Sequence, residues 1–475
     1  MVELWPRPGR RLIDTQATYR SRPVARAGVR RNHWLCALLS SALIASGLGC
    51  STMSHRIERG QSAYFSGDLE TARTELEKVA NSRSPLAKTA KLDLAMVELA
   101  SGDPASALQR LRESRDVFDE QTKLSLVGDA ASMITDDRQR TYKPAGYEEV
   151  MIRSMMSLCS LASGDGDAES YAMQAQLRQT ELARAAEDRG LAMTQEVYQP
   201  LALAPYMRGV LREATHHDYD DALRAYQLVS HLQPSFAPAA IDIERCGGGV
   251  HSAPNHGALY IFACVGRGPI LESVEAPTTT AALQIATQVY SLAENQRTML
   301  PNLVSVQVPS VHVPYSPAAA VSIDSSGVWL GATQPLVDVG QMASRQNEAE
   351  MPWTVARAVV RRVTKEVTVS QATKAVGLDG LPGEVVRFAT VNAWSATEKA
   401  DTRCWSLLAR EIQVLRAELP VGKHRIGFSV VDANGRTVGP RTTMTVEIKD
   451  AANTYITIMA PDQKVIAANT NQNSL

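Results

Sequence analysis

Apolar and polar residues recur with a helical period through the first half of the chain. Ser66-Gly67-Asp68 returns as Ser101-Gly102-Asp103, an offset of 35 residues, and apolar residues at helical spacing follow each copy. At each copy the motif ends one helix, and its aspartate caps the next. A repeat of about 34 residues is typical of helix–turn–helix arrays. The pattern predicts stacked helical hairpins over residues 55–240.

Two later segments continue this repeat. Ser163-Gly164-Asp165 follows another apolar helical segment, and Ala222, Tyr226 and Pro234 have the spacing of the tetratricopeptide consensus. We therefore expect a tetratricopeptide-like array of four or five helical hairpins.

The pattern changes after residue 240. Residues 241–257 contain Gly247-Gly248-Gly249 and predict a glycine-rich linker, and the continuous apolar run Ala258–Val265 predicts a strand. A helix is predicted over Pro352–Ala375, with Val355 and Val359 on one face. Shorter strands are predicted at Leu303–Val308, Val311–Val313, Ala319–Ile323 and Val328–Leu330.

Alternating apolar residues around turns characterise the end of the chain. They lie at Ile426–Val430, Met444–Ile448 and Ile456–Ile458, which predicts a small antiparallel sheet. The tail, residues 461–475, is predicted to be disordered. The fold class is therefore α+β: an N-terminal tetratricopeptide-like helical-hairpin array followed by a β-containing C-terminal domain, mixed α/β, over residues 258–460.

Residues Arg30–Cys50 resemble a bacterial lipoprotein signal. Two arginines precede an apolar run, and small residues then lead to Cys50. Gly47 stands where such signals usually have an aliphatic residue, so a plain cleaved signal or an uncleaved anchor is an alternative. We expect residues 1–49 to be removed, Cys50 to carry lipid, and residues 50–54 to form a tether. Because Ser51 rather than aspartate follows the cysteine, we expect the periplasmic face of the outer membrane.

Charge excludes one class of partner. The formal net charge is -1, with 49 basic and 50 acidic residues. Much of the basic excess lies in the leader, so a nucleic-acid partner is not expected.

Four cysteines would remain beyond the lipidated one. Cys246 and Cys264 flank one loop and are the candidate disulfide, with isolated buried thiols as the alternative.

Motifs for catalysis are missing from the sequence, and we expect no enzyme activity, cofactor or metal. Gly266-Arg267-Gly268-Pro269 follows a strand but lacks the later glycine and helix start of a phosphate loop, although Arg267 could contact an anion. Cys246, His251 and His256 share one glycine-rich loop and could be metal ligands, but a glycine-rich backbone is a poor rigid frame for a metal site. Asp401-Thr402-Arg403-Cys404-Trp405 is a candidate ligand platform, partner contact, or internal ion pair beside a core tryptophan.

Three blocks resemble a family of bacterial surface lipoproteins with tetratricopeptide-like repeats. They are Tyr142–Met151, Val265–Pro269, and the late run from Ala400 through Asp401, Arg403 and Trp405 to Gly422. The resemblance implies an envelope protein of a family with no established enzymatic activity.

The expected function is therefore a lipid-anchored envelope scaffold or assembly factor. Its membrane contact would be the lipid, and its helical repeats would bind one or more envelope proteins on their concave face. Arg267, Asp401, Arg403 and Trp405 are the candidate partner contacts. The alternative is a peptidoglycan- or carbohydrate-binding module in which Trp394 and Trp405 stack on sugars. Exposed indole rings would favour this alternative, and buried ones would oppose it.

Overall fold

The computed structural model describes residues 52–125, 142–188, 197–280, 282–284, 305–375 and 400–471. All of them belong to one compact unit, Thr52–Leu475. The lipoprotein signal, Cys50 and Trp394 lie outside the described residues. Helices form the first part of the described chain and strands dominate the later part, which confirms the α+β class.

Nine helices of the described chain precede the first strand. Their bounds are residues 52–66 (α1), Leu69–Ala80 (α2), Ala87–Ala100 (α3), Pro104–Ser125 (α4), Gly146–Ser163 (α5), Ala168–Asp188 (α6), Leu203–Glu213 (α7), Tyr219–Leu232 (α8) and Pro238–Gly247 (α9). From α2 onward each helix contacts the next one along the chain.

The repeated Gly-Asp turns have the predicted cap chemistry. Gly67 and Gly102 have φ of 83° and 80°, a region that suits glycine. Asp68 Oδ1 accepts a hydrogen bond from the Thr71 N–H at 3.1 Å, and Asp103 Oδ1 accepts one from Ser106 at 3.0 Å. Because these caps depend on adjacent residues alone, the sequence predicted them correctly.

Helices α3 and α5 are buried on nearly every side. Eleven of the fourteen residues of α3 are buried, and so is α5 from Tyr147 to Ala162. A helix with apolar residues on every side must be covered on every side, and the buried polar side chains of these helices, such as Asp93 and Glu148, then need internal partners. Neighbouring helices cover one side of each, and the strands described next cover another.

Eleven strands of the described chain form three sheets. Their bounds are His256–Arg267 (β1), Ile270–Pro277 (β2), Ser305–His312 (β3), Ala320–Ser325 (β4), Val328–Ala332 (β5), Gln334–Asp338 (β6), Ala409–Pro420 (β7), Gly422–Val431 (β8), Thr442–Ile448 (β9), Asn453–Ala460 (β10) and Ala467–Thr470 (β11). The five-stranded sheet has the order β11-β10-β1-β7-β6, and the four-stranded sheet has the order β5-β4-β8-β9. Strands β2 and β3 pair separately.

Strand β1 is the centre of the molecule because it separates two hydrophobic cores. Its even-numbered residues, such as Tyr260 and Phe262, pack with the helices. Its odd-numbered residues, such as Leu259 and Ile261, pack with the four-stranded sheet. A strand that is buried on both faces reads as a continuous apolar run, which is the pattern seen in Ala258–Val265. The layers are therefore helices, five-stranded sheet and four-stranded sheet.

Three expectations need correction. The predicted linker, residues 241–257, begins inside α9 and joins elements that share one hydrophobic core, so it does not separate two cores. Strand β10 pairs parallel with β1 instead of joining β8 and β9. The predicted disordered tail contains β11, which pairs with β10, and the Asn469 amide donates to the Leu99 carbonyl at 3.0 Å.

The predicted helix at Pro352–Ala375 is present but begins earlier. Helix α10 runs from Val339 to Ala375 with Pro352 inside it. Val355 and Val359 pack with Val306 and Val308 of the two-stranded sheet in a third hydrophobic cluster. In this sheet both strands are edges, which permits Pro309 inside β3.

Candidate functional site

Residues 400–408, here called the docked segment, lie against the inner helices of the array. The Trp405 N–H donates to Glu148 Oε1 of α5 at 2.6 Å. The Leu407 N–H donates to Asp93 Oδ1 of α3 at 2.9 Å, and the Ser406 hydroxyl donates to the other oxygen of Asp93 at 2.7 Å. Two helix carboxylates therefore bind this piece of the same chain by two main-chain N–H groups and one serine hydroxyl.

The expected partner contacts in this segment are internal contacts. Arg403 forms a bidentate pair with Asp401 at 2.5 and 2.8 Å, donates to the Pro85 carbonyl at 3.2 Å, and lies 5.9 Å from the Tyr142 ring centre. Trp405 is only 1% exposed. The sequence allowed three interpretations of Asp401–Trp405. The structure agrees with the third, an internal ion pair beside a core tryptophan. The burial of Trp405 also opposes its proposed role in stacking on sugars.

Burial perturbs both carboxylates that hold the docked segment. Desolvation raises the pKa of Asp93 to about 7, against the lowering effect of its hydrogen bonds from Ser406 and Leu407. Desolvation also raises the pKa of Glu148, which accepts a hydrogen bond from the Tyr142 hydroxyl at 2.6 Å. Such shifts often mark catalytic acids. Here the chain itself covers both groups, so their role is to hold the segment.

Arg267 also makes internal contacts. Its guanidinium donates to Asp462 Oδ2 at 2.6 Å and lies 4.5 Å from the Phe65 ring centre. The neighbouring Gly268 donates its N–H to the Leu408 carbonyl at 2.9 Å, and a Cβ on Gly268 would overlap that carbonyl. The glycine-rich turn thus permits close backbone approach to the docked segment, as in a tight strand-exit turn.

The candidate disulfide is not formed. Cys246 and Cys264 are both free and buried. Cys246 lies near the end of α9, whereas Cys264 lies on the helix-facing side of β1. Burial raises the pKa of each thiol to about 12, so both remain protonated and unreactive near neutral pH. Cys246 and Cys264 are therefore isolated buried thiols, which was the alternative to a disulfide.

The glycine-rich loop does not assemble a metal site. His251 is buried, and its Nε2 lies 2.8 Å from Asn453 Oδ1. His256 Nδ1 instead lies 3.0 Å from the Pro254 carbonyl. Within the described residues, no group of three or more His, Cys, Asp or Glu side chains could hold a metal ion.

No helix in the described residues is long and apolar enough to cross a membrane.

A buried ion cluster, which the sequence did not indicate, joins α7 and α9 to the five-stranded sheet. Glu213 is fully buried and accepts hydrogen bonds from Arg245 at 2.6 and 2.8 Å and from the Tyr226 hydroxyl at 3.0 Å. Arg416 of β7 lies 3.7 Å away. Burial would raise the pKa of Glu213, but the Arg245 guanidinium holds it below its usual value. The charges compensate one another, as a structural contact requires.

The four-stranded sheet presents a polar surface with one large aromatic residue. Here called the outer face, it is the side turned away from the five-stranded sheet. By strand alternation it carries the polar or aromatic residues Ser322, Asp324, Trp329, Lys423, Arg425, Ser429, Thr443, Thr445 and Glu447, together with Gly427, Ala320, Ala332 and the buried Val431. Trp329 is 70% exposed. It pairs with Asp324, while its neighbour Leu330 packs against the inner core.

An ion pair lies beside Trp329. Arg441 donates to the two Asp324 oxygens at 2.9 and 2.6 Å. These hydrogen bonds hold the pKa of Asp324 below its usual range, so the carboxylate stays ionised at neutral pH. The two groups lie across Gly427, where any Cβ would overlap them both. The absence of a side chain at residue 427 therefore permits a flat arrangement of this pair on the sheet.

The hairpin between β4 and β5 sets the position of Trp329. Ser326 and Gly327 both have positive φ, 52° and 89°, as in the type I′ turns of two-residue hairpins. The Gly327 N–H donates to Asp324 Oδ1 at 2.8 Å. The sequence predicted the strand but not this site. The signal was a tryptophan next to a Ser-Gly turn in an alternating segment.

No family model, no curated protein and no solved structure matches this chain.

Proposed function

We propose that the chain is a lipid-anchored cell-envelope protein that binds its partner through the β-sheet region, residues 256–471. The observation that supports this proposal is the docked segment between the inner helices and the five-stranded sheet. In a repeat array the inner surface is the usual binding surface. Here α3 and α5 are buried by the chain itself.

In this proposal the tetratricopeptide-like array is a support. Its Ser-Gly-Asp turns, 35 residues apart, fit such repeats. Asp93 and Glu148 fasten the array to the docked segment by buried hydrogen bonds, and Glu213 fastens it to β7 through its ion pair with Arg416. A rigid support of this kind would hold the outer face in a fixed orientation, with its polar groups toward solvent.

The proposed anchor is lipid on Cys50. Each buried CH₂ group of an acyl chain contributes about 0.8 kcal/mol to membrane binding. A single acyl chain therefore binds a membrane marginally, whereas two or more acyl chains hold a protein there. The described residues begin shortly after this cysteine, at Thr52. The anchor would thus keep the first helix close to the membrane surface.

In-cell photo-crosslinking tests the proposal. A photo-reactive amino acid is placed either at Thr445, exposed on the outer face, or at Met173, which is 54% exposed on α6. We expect a reproducible envelope component, protein or wall polymer, to be retained from Thr445. Cys50→Ala should abolish this retention because the protein then leaves the membrane.

Retention from Met173 but not from Thr445 would contradict the proposal. The partner would then bind the helical repeats, as expected for an envelope scaffold. Unchanged retention in Cys50→Ala would contradict the lipid anchor.

A further inference from the structure

We infer that the outer face binds a saccharide chain, with Trp329 as the stacking platform. This inference rests on the proposed function, because it names the class of ligand that the β-sheet region would bind.

Trp329 supplies the apolar part of such a site. The residue is 70% exposed on a sheet surface whose other exposed residues are polar. A pyranose ring presents a row of C–H groups on one face, and these pack against an indole ring. The adjacent Val328 pairs with Ser325 and therefore projects to the opposite side of the strand. On the part of the outer face that the structure describes, Trp329 is thus the one aromatic platform, of the size that one sugar ring covers.

The pair formed by Asp324 and Arg441 supplies the polar part. Sugar hydroxyls both donate and accept hydrogen bonds, so they are well matched by a carboxylate beside a guanidinium. Asp324 lies directly across from Trp329, and Arg441 fixes its two oxygens by a bidentate contact. Because these groups are already oriented, little side-chain ordering would accompany binding.

Further hydrogen-bonding groups continue across the sheet. Arg425 donates to the Thr443 hydroxyl at 3.3 Å, and Thr445 is exposed beside them. From β5 to β9 there are three interstrand spacings, about 14 Å in total. The outer face therefore suits an oligosaccharide better than a single sugar.

The charges on the outer face distinguish a saccharide from other occupants. Lys423, Arg425 and Arg441 are balanced in part by Asp324 and Glu447. An anionic membrane surface would favour a clear basic excess. A protein interface would usually have several apolar anchors at its centre, rather than one aromatic residue among hydroxyls and charges.

Pelleting of the purified full chain with peptidoglycan sacculi tests the inference, with a soluble tetramer of β-1,4-linked N-acetylglucosamine as competitor. We expect the wild type to pellet and the tetramer to release it. Trp329→Ala should weaken the association about tenfold, and Arg441→Gln should weaken it several-fold. The matched control is Tyr315→Ala, because Tyr315 is an 86% exposed aromatic residue outside the outer face.

Several results would overturn the inference. They are failure of the wild type to pellet, equal pelleting of Trp329→Ala, and equal losses in Trp329→Ala and Tyr315→Ala. Trp329-dependent flotation with anionic vesicles would indicate a membrane instead, and a Trp329-dependent dimer would indicate a second copy. If crosslinks form from Thr445 while sacculi do not bind, the ligand class is wrong and the proposed function remains. Crosslinks from Met173 alone contradict the proposed function itself.

Discussion

Trp405 and Trp329 show how one residue type has opposite uses in two regions of this molecule. Trp405 is 1% exposed inside the docked segment, and its backbone N–H donates to Glu148 of a distant helix. Trp329 is 70% exposed on a short edge strand beside an ion pair. The first tryptophan joins layers of the fold, and the second remains available to a ligand.

The polar groups around the two tryptophans differ in the same way. Asp93 and Glu148 are buried, and burial raises the pKa of each. Asp324 is partly exposed, and Arg441 lowers its pKa. Buried carboxylates that accept main-chain N–H groups hold the chain together, whereas an ionised carboxylate at the surface can also meet a ligand. The environment of a carboxylate is thus a better guide to its role here than its residue type.

The largest expected difference is in stability. Trp405→Ala should lower the free energy of unfolding by about 3–5 kcal/mol, because it leaves a cavity between the helices and the five-stranded sheet. Trp329→Ala should change it by no more than about 0.5 kcal/mol. Urea unfolding of both variants, monitored by circular dichroism, measures the difference between their free energies of unfolding.

Trp405→Phe sharpens this test. Among the described residues the indole N–H of Trp405 has no hydrogen-bond partner, so phenylalanine loses volume but no hydrogen bond. The free energy of unfolding of Trp405→Phe should be closer to that of the wild type than the free energy of Trp405→Ala is. Equal losses for Trp405→Ala and Trp329→Ala would contradict the comparison.

A second effect on stability, of comparable size, concerns pH. The folded pKa of Asp93, about 7, lies above the ordinary pKa of an aspartate, about 3.9, so the folded state binds the proton more tightly. Asp93 therefore contributes stability that is fully present below about pH 4 and is lost as pH rises through about 7. A difference of about 3 pKa units corresponds to a free energy on the order of 4 kcal/mol.

Asp93→Asn tests this dependence because the amide oxygen can still accept a hydrogen bond from the Leu407 N–H and the amide does not ionise. Relative to this variant, the wild type should lose stability between about pH 4 and pH 7. Urea unfolding across that range measures the difference. Asp324→Asn is the control, because the lowered pKa of Asp324 gives the opposite slope at acidic pH. Parallel curves for the wild type and Asp93→Asn would contradict the prediction.

The smallest effect is expected at the hairpin that carries Trp329. Ser326 has a φ of 52°, and asparagine tolerates this region better than serine does. Ser326→Asn gives the Asn-Gly pair favoured in type I′ turns and should stabilise the protein by about 0.5 kcal/mol. Thermal unfolding measures it. Loss of stability, or weaker binding to sacculi, would show that the turn depends on serine for another reason.

The sequence correctly predicted features that depend on neighbouring residues. The Ser-Gly-Asp caps at Asp68 and Asp103 are hydrogen bonds to residues three positions away. The apolar run Ala258–Val265 indicated a strand because both of its faces are buried. It could not indicate that β10 pairs parallel with β1, because that choice depends on residues almost 200 positions apart.

By itself, the sequence determined the α+β class, the helical period and the position of the central strand, because cap and alternation patterns are local. Only the tertiary structure decided which tryptophan is buried. Trp405 meets Glu148 across 257 positions, and Leu407 meets Asp93 across 314. These contacts fill the inner surface of the helices and leave the outer face with Trp329 to solvent. Burial depends on what the rest of the chain brings into contact, and no local pattern contains that information.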